Sequence, residues 1–130
     1  MDSGAIRRRL ALGAAVFAAS GLFALVAPGS AQAATATSCA GREVRTLPFS
    51  TGTVHVYKRN GYVCALTLPK TSGTRRMMSV SVQARGNRAV VDKGRYAHRA
   101  GPVTVHAGHR CVWIKGSVGR GTVSSGWILC

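Results

Sequence analysis

Acidic residues are nearly missing from this chain: three Asp+Glu stand against 18 Lys+Arg in 130 residues. That scarcity excludes most acid/base enzymes, because a paired-carboxylate site has few positions to draw on. Aromatic residues are also few, at 6%, too few for a platform that stacks single-stranded nucleic acid. No two cysteines stand at C-x2-C spacing, which excludes the usual zinc-binding knuckle, and His106-x2-His109 alone does not replace it. No G-x-S-x-G elbow precedes a helix, and Gly116-Ser117-Val118-Gly119-Arg120-Gly121 lacks the G-K-[ST] ending of a phosphate-binding loop. The Gly-rich run reads instead as a flexible hairpin connection. Outside the first 33 residues no apolar period of 3.6 persists for three turns, so long amphipathic helices are excluded as well.

What is present begins with an address. Arg7, Arg8 and Arg9 precede an apolar run from Leu10 to Val26, broken only by Gly13, Ser20 and Gly21. Pro28-Gly29 follows, and Ala31-Gln32-Ala33 places small residues at the −3 and −1 positions of a cleavage site. This order of charge, apolar stretch and A-x-A predicts a secretory signal peptide over residues 1–33. The apolar run of about 17 residues sits at the lower limit for a membrane anchor. Cleavage after Ala33 leaves residues 34–130 as a secreted basic domain with no membrane span. Removing Arg7, Arg8, Arg9 and Asp2 from the totals leaves 15 basic residues against Glu43 and Asp92, about +13.

Four cysteines, Cys39, Cys64, Cys111 and Cys130, all lie beyond the signal. An even count in a short exported chain predicts two disulfides, with three possible pairings. Cys39–Cys64 with Cys111–Cys130 is favoured, because each bond joins neighbouring segments and leaves the central hairpins unconstrained. Each such bond contributes roughly 3 kcal/mol in the chain-entropy model, which matters in a domain with a small core.

Short β-prone runs separated by turns fill the rest. Val54 and Val56 share one face of Thr53–Lys58, and Cys64, Leu66 and Leu68 share one face of Tyr62–Leu68. Asn60-Gly61 between them suits a type I′ hairpin turn. Pro69 to Arg76 reads as a polar loop. Met78, Val80 and Val82 alternate with Ser79, Ser81 and Gln83, although a short helix around Arg75 to Arg85 is an alternative. Gly86-Asn87 turns into a short strand from Arg88 to Asp92. Another runs from Tyr96 to Arg99 and ends at Gly101-Pro102. Val103 and Val105 alternate with their neighbours, and the last two runs are Cys111 to Lys115 and Thr122 to Leu129. Strands at this spacing predict an all-β fold, a small disulfide-stapled antiparallel sandwich or barrel.

Charge is the clearest functional signal. Arg75, Arg76, Arg85, Arg88, Lys93, Arg95, Arg99 and Arg110 crowd the middle of the chain, a density that attracts anionic polymers. The residues assigned to polyanion binding are Arg75, Arg76, Arg85, Arg88, Arg95 and Arg99. Specific nucleic-acid readout is not expected, since neither a recognition helix nor an aromatic surface is visible. No cofactor, metal or catalytic residue is assigned. Trp113 and Trp127, beside the two C-terminal cysteines, read first as core packing and second as ligand-stacking residues. Two alternatives remain. One is a secreted effector: a cationic antimicrobial, or a protease inhibitor inserting Arg75 or Arg76 from the 69–76 loop. The other is a small secreted ribonuclease combining Glu43 with one of His55, His98, His106 or His109 and nearby arginines.

Asn60-Gly61-Tyr62-Val63-Cys64-Ala65-Leu66-Thr67 is similar to the N-G-x-x-C-x-x-T run of the actinobacterial spore-associated protein A family. So are Lys93-Gly94-Arg95-Tyr96, the string Ala100-Gly101-Pro102-Val103-Thr104-Val105-His106-Ala107, the following Cys111-Val112, and the terminal cysteine. The resemblance spans roughly Cys39 to Cys130. It implies a small exported protein on the spore or aerial-mycelium surface with no catalytic residues to carry over, a location more than an activity. The basic charge makes the expected partner an anionic cell-wall or spore-surface polymer.

Overall fold

The computed structural model describes residues 38–130. The segment expected as a signal peptide, 1–33, and most of the lead-in from Ala34 lie outside the described residues. Eight strands follow in chain order: β1 (Arg42–Phe49), β2 (Gly52–Arg59), β3 (Tyr62–Pro69), β4 (Arg76–Ala84), β5 (Val90–Tyr96), β6 (Ala100–His106), β7 (Val112–Val118) and β8 (Gly121–Ile128). They form two antiparallel four-stranded sheets with strand orders β1-β2-β3-β6 and β5-β4-β7-β8. Neither sheet closes on itself, so the fold is a sandwich and not a barrel.

Alternation builds the core. Val54, Val56, Val63 and Ala65 of the first sheet face Met78, Val80, Val82, Val112, Ile114 and Val118 of the second, all of them fully buried. Each such valine or isoleucine contributes roughly 1.5–3 kcal/mol through its burial. Cys64, Leu66 and Leu68 do share a face, but it is the outer one; Val63, Ala65 and Thr67 turn inward. Thr67 is buried with its hydroxyl satisfied, Oγ1 donating across the interface to the Ser79 carbonyl at 2.9 Å. Asn60 (φ 51°) and Gly61 (φ 80°) both adopt the left-handed conformation that the β2–β3 turn requires.

Of the two readings of 75–85 the strand is the one formed: period-two alternation lets β4 (Arg76–Ala84) pair with β5 and β7 on both sides. Three expectations are corrected. The strand expected at 88–92 runs instead from Val90 to Tyr96 as β5, and the one expected at 96–99 does not continue beyond Tyr96, because the chain bends at Ala97-His98. Gly101-Pro102 does not end a strand; it lies inside β6. There the pairing with β3 slips between Ala65 and Thr67, which removes the ladder donor that proline lacks. The Gly-rich connection is mostly strand: Gly116, Ser117 and Val118 belong to β7, and only Gly119-Arg120 turns. Gly119, at φ 59°, supplies the first central position of that turn.

Both favoured disulfides are formed. Cys39–Cys64 ties the segment before β1 to β3, and Cys111–Cys130 ties the start of β7 to the end of the chain. All four cysteines are therefore bonded, which fits the oxidising conditions outside the cell.

Candidate polyanion-binding face

Strand alternation places a defined set of side chains on the outer face of the second sheet. β4 contributes Met77, Ser79, Ser81 and Gln83. Across from these, β5 sets Arg95 opposite Met77, Lys93 opposite Ser79 and Val91 opposite Ser81. On the other side β7 sets Ser117 opposite Ser79, Lys115 opposite Ser81 and Trp113 opposite Gln83. β8 adds Thr122 and Ser124, paired with Ser117 and Lys115. Ser79 and Ser117 share a hydroxyl hydrogen bond at 2.6 Å. The surface is therefore a hydroxyl-lined sheet with Lys93, Arg95 and Lys115 standing exposed from it.

Its aromatic end depends on a β-bulge. Between Lys115–Ser124 and Trp113–Trp127, β8 carries one residue more than β7. Ser125 and Gly126 absorb it. Gly126 takes φ 70°, and the Ser125 hydroxyl accepts from the Ile114 amide at 2.9 Å in place of a ladder carbonyl. Without the extra residue, simple alternation from Thr122 and Ser124 would turn Trp127 inward. With it, Trp127 stands on the outer face beside Trp113, edge to face with centroids 5.3 Å apart. Trp113 Nε1 donates to Ser124 Oγ at 2.7 Å, and the Arg85 guanidinium lies over the Trp127 ring at 5.3 Å.

The six assigned arginines do not form one cluster. Arg75 and Arg76 start β4 and Arg85 follows its end, so roughly 30 Å of strand separates them. At the first end the Arg75 guanidinium donates to the Arg95 carbonyl at 3.1 Å, and that of Arg76 reaches the Thr71 carbonyl at 3.5 Å. The bend carrying His98 and Arg99 is fastened to the 70–75 loop by Gly73 N donating to the Ala97 carbonyl at 2.9 Å. Ser72 Oγ lies 2.7 Å from His98 Nδ1. Arg85 and Arg88 lie at the opposite end, by the tryptophans. Arg110 is structural there: its guanidinium donates to the carbonyls of Ala107, His106 and Arg85. Lys93 and Lys115 bridge the two ends. Lys115 was not singled out from the sequence, although alternation about Ile114 marks it as outward.

Both acidic residues of the described part are occupied elsewhere. Asp92 turns inward between the sheets, accepting from the Tyr96 hydroxyl at 2.5 Å and the Gly101 amide at 2.7 Å. That hydrogen bond, reinforced by burial and the nearby charge, raises the Tyr96 phenol above its ordinary 10.0. Glu43 lies on the outer face of the first sheet, 2.5 Å from His55 Nδ1, and accepts from Thr46 Oγ1 at 3.0 Å. Its carboxyl is held below the usual 4.5, first by the hydrogen bond with His55 and then by that from Thr46. The sequence named both Glu43 and His55 but could not show that adjacent strands bring them together. Among the described residues no three His, Cys, Asp or Glu side chains converge on a metal site.

Fold and surface define the class as a disulfide-stapled β-sandwich with one hydroxyl-rich, carboxylate-poor cationic sheet face. No protein-family model matches the chain, and neither does any curated protein or solved structure.

Proposed function

We propose that this is a secreted, non-enzymatic protein that attaches to anionic envelope polymer through the outer face of its second sheet. One observation carries the reading: Arg85, Lys93, Arg95 and Lys115 stand on that face while both carboxylates of the domain are engaged away from it. A cationic track with no internal counter-ion attracts a polyanion over the whole surface. Its length along β4 suits an extended chain better than a compact ligand. The resemblance to spore-associated proteins supplies the location, a spore or cell surface, and the disulfides supply durability there.

The test is binding to isolated spore or cell-wall material. Lys93→Glu with Lys115→Glu should weaken binding at least tenfold. Arg42→Glu with Lys58→Glu, which changes net charge equally on the first sheet, should cost much less. Equal losses from the two pairs would overturn the assignment to this face. The inhibitor alternative has less support, because the guanidinium groups of Arg75 and Arg76 bond back to the protein's own carbonyls.

The Glu43–His55 contact favours a second reading, phosphodiester cleavage. A carboxylate on Nδ1 fixes the ring orientation and leaves Nε2 as the proton acceptor. RNA incubated with the protein should then be cut, and Glu43→Gln should abolish the cutting. Intact RNA disposes of this reading.

A further inference from the structure

The outer face of the first sheet carries a pocket of about 270 Å³ lined by Ala40, Arg59, Asn60, Tyr62, Cys64 and Thr104. That is the liquid volume of roughly nine waters, enough for a ligand with a single ring. It lies on the opposite sheet from the cationic track, so it does not depend on the reading above.

Three separate devices fix its walls. The Cys39–Cys64 disulfide holds the 38–41 segment against β3, with Cα atoms 5.6 Å apart. Gly41, at φ 101°, lets that segment close on β2; a Cβ there would lie 2.5 Å from the Lys58 carbonyl oxygen and 2.8 Å from Arg59 Cβ. The Asn60-Gly61 turn is clamped from the far side, where the amides of Ala107 and Gly108 both donate to the Gly61 carbonyl at 2.9 Å. Tyr62 is half exposed, and His106 braces its ring edge-on at 4.9 Å. The pocket therefore has its shape before anything enters it, which lowers the entropy lost on binding.

Its charge is of one sign. Arg59, the Asn60 amide and the hydroxyls of Tyr62 and Thr104 all offer donors, and the lining contains no carboxylate. Glu43 and Asp92, the acids of the described residues, are bonded to His55 and Thr46 and to Tyr96 and Gly101. Arg59 therefore makes no ion pair with a described carboxylate. A planar guanidinium beside an exposed ring suits an oxyanion carried on a flat or ring-shaped body. We infer that this pocket binds a small organic anion, a carboxylate on a single ring, with Arg59 on the carboxylate and Tyr62 against the ring.

The ring could belong to an aromatic acid or to an acidic sugar, and separate probes distinguish them. The full oxidised chain is titrated with benzoate, glucuronate and the neutral ring benzyl alcohol, following backbone amide resonances by NMR. At least one acid should move the amides of residues 59–62 and 104 and bind at least tenfold tighter than benzyl alcohol. The tighter acid identifies the source. Arg59→Gln, which keeps the stem beside Gly41, should weaken that acid tenfold or more, whereas Lys93→Glu with Lys115→Glu should leave it unchanged. Unmoved second-sheet amides in Arg59→Gln report that the variant is folded. Equal binding of the neutral ring, full retention in folded Arg59→Gln, or shifts centred on the second sheet would each overturn the inference.

Discussion

Asp92 is a carboxylate turned inward from an edge strand, where it loses much of its water. Two donors compensate, the Tyr96 hydroxyl and the Gly101 amide, and the second comes from the opposite sheet. One side chain thus joins β5 to β6 and closes the open edge of the sandwich. Its partners give Asp92 a structural role. Asp92→Asn should lower stability by about 1–2 kcal/mol in denaturant unfolding, because both hydrogen bonds lose their charged acceptor even where the amide donates to the Tyr96 hydroxyl. The same contact has a pH signature. Folding raises the Tyr96 phenol above 10.0, so the folded state holds that proton more tightly than the unfolded state. The contact therefore stabilises fully below pH 10 and is lost as pH rises through the folded value. In an absorbance titration Tyr96, identified by its loss in Tyr96→Phe, should ionise above 10.0 and move back toward that value in Asp92→Asn. No movement would separate the phenol from the carboxylate.

At the scale of strands, hairpins with strict alternation were legible and irregular pairings were not. Val54 and Val56, Met78 through Val82 and the Asn60-Gly61 turn announce themselves because local pattern and final burial agree. So did the disulfide pairing: Cys111–Cys130 closes the β7–β8 hairpin, and Cys39–Cys64 links the lead-in before β1 to β3, on the far side of β2. The place of Pro102 inside β6 and the outward turn of Trp127 stayed hidden, since each depends on a register slip set by the partner strand. The continuity of β5 stayed hidden because Gly94 and its polar neighbours mask a pairing with β4 that runs without a slip. The sequence also read the arginines as one cluster, because nearness along the chain does not show that the extended strand β4 separates them into two ends. Gly116 illustrates how a strand glycine misleads: it suggests a flexible loop, yet it sits in β7 facing the opposite sheet at close range. A Cβ there would lie 2.3 Å from Val54 Cγ2 and 2.8 Å from Thr67 Oγ1. Gly116→Ala should therefore destabilise by about 1–3 kcal/mol through overpacking, despite alanine's better fit to most secondary structure. An unchanged unfolding midpoint would mean that the sheets can separate at that point without cost.

At the scale of the whole sandwich, the question is whether the charge of about +13 on residues 38–130 (15 basic residues less Glu43 and Asp92) acts as a diffuse cloud or as a directed surface. A diffuse cloud repels itself and holds any polyanion in any orientation. The sandwich divides the charge instead: Arg110 is tied to backbone carbonyls, Arg75 and Arg76 are folded onto the 70–75 loop and β5, and the second sheet presents Arg85, Lys93, Arg95 and Lys115 together. Salt dependence distinguishes these cases, because the slope of log affinity against log salt counts the cations engaged. Four contacts at roughly 0.7 each give a slope near −3, or about a fifty-fold loss between 50 and 200 mM salt for a flexible polyanion. Engagement of the full charge would give a slope near −9 by the same rule. Reversing Lys93 and Lys115 should flatten the shallow slope, and reversing Arg42 and Lys58 should not. A steep slope that both reversals reduce equally would make the charge a property of the molecule as a whole, and the sheet face merely the part that happens to be flat.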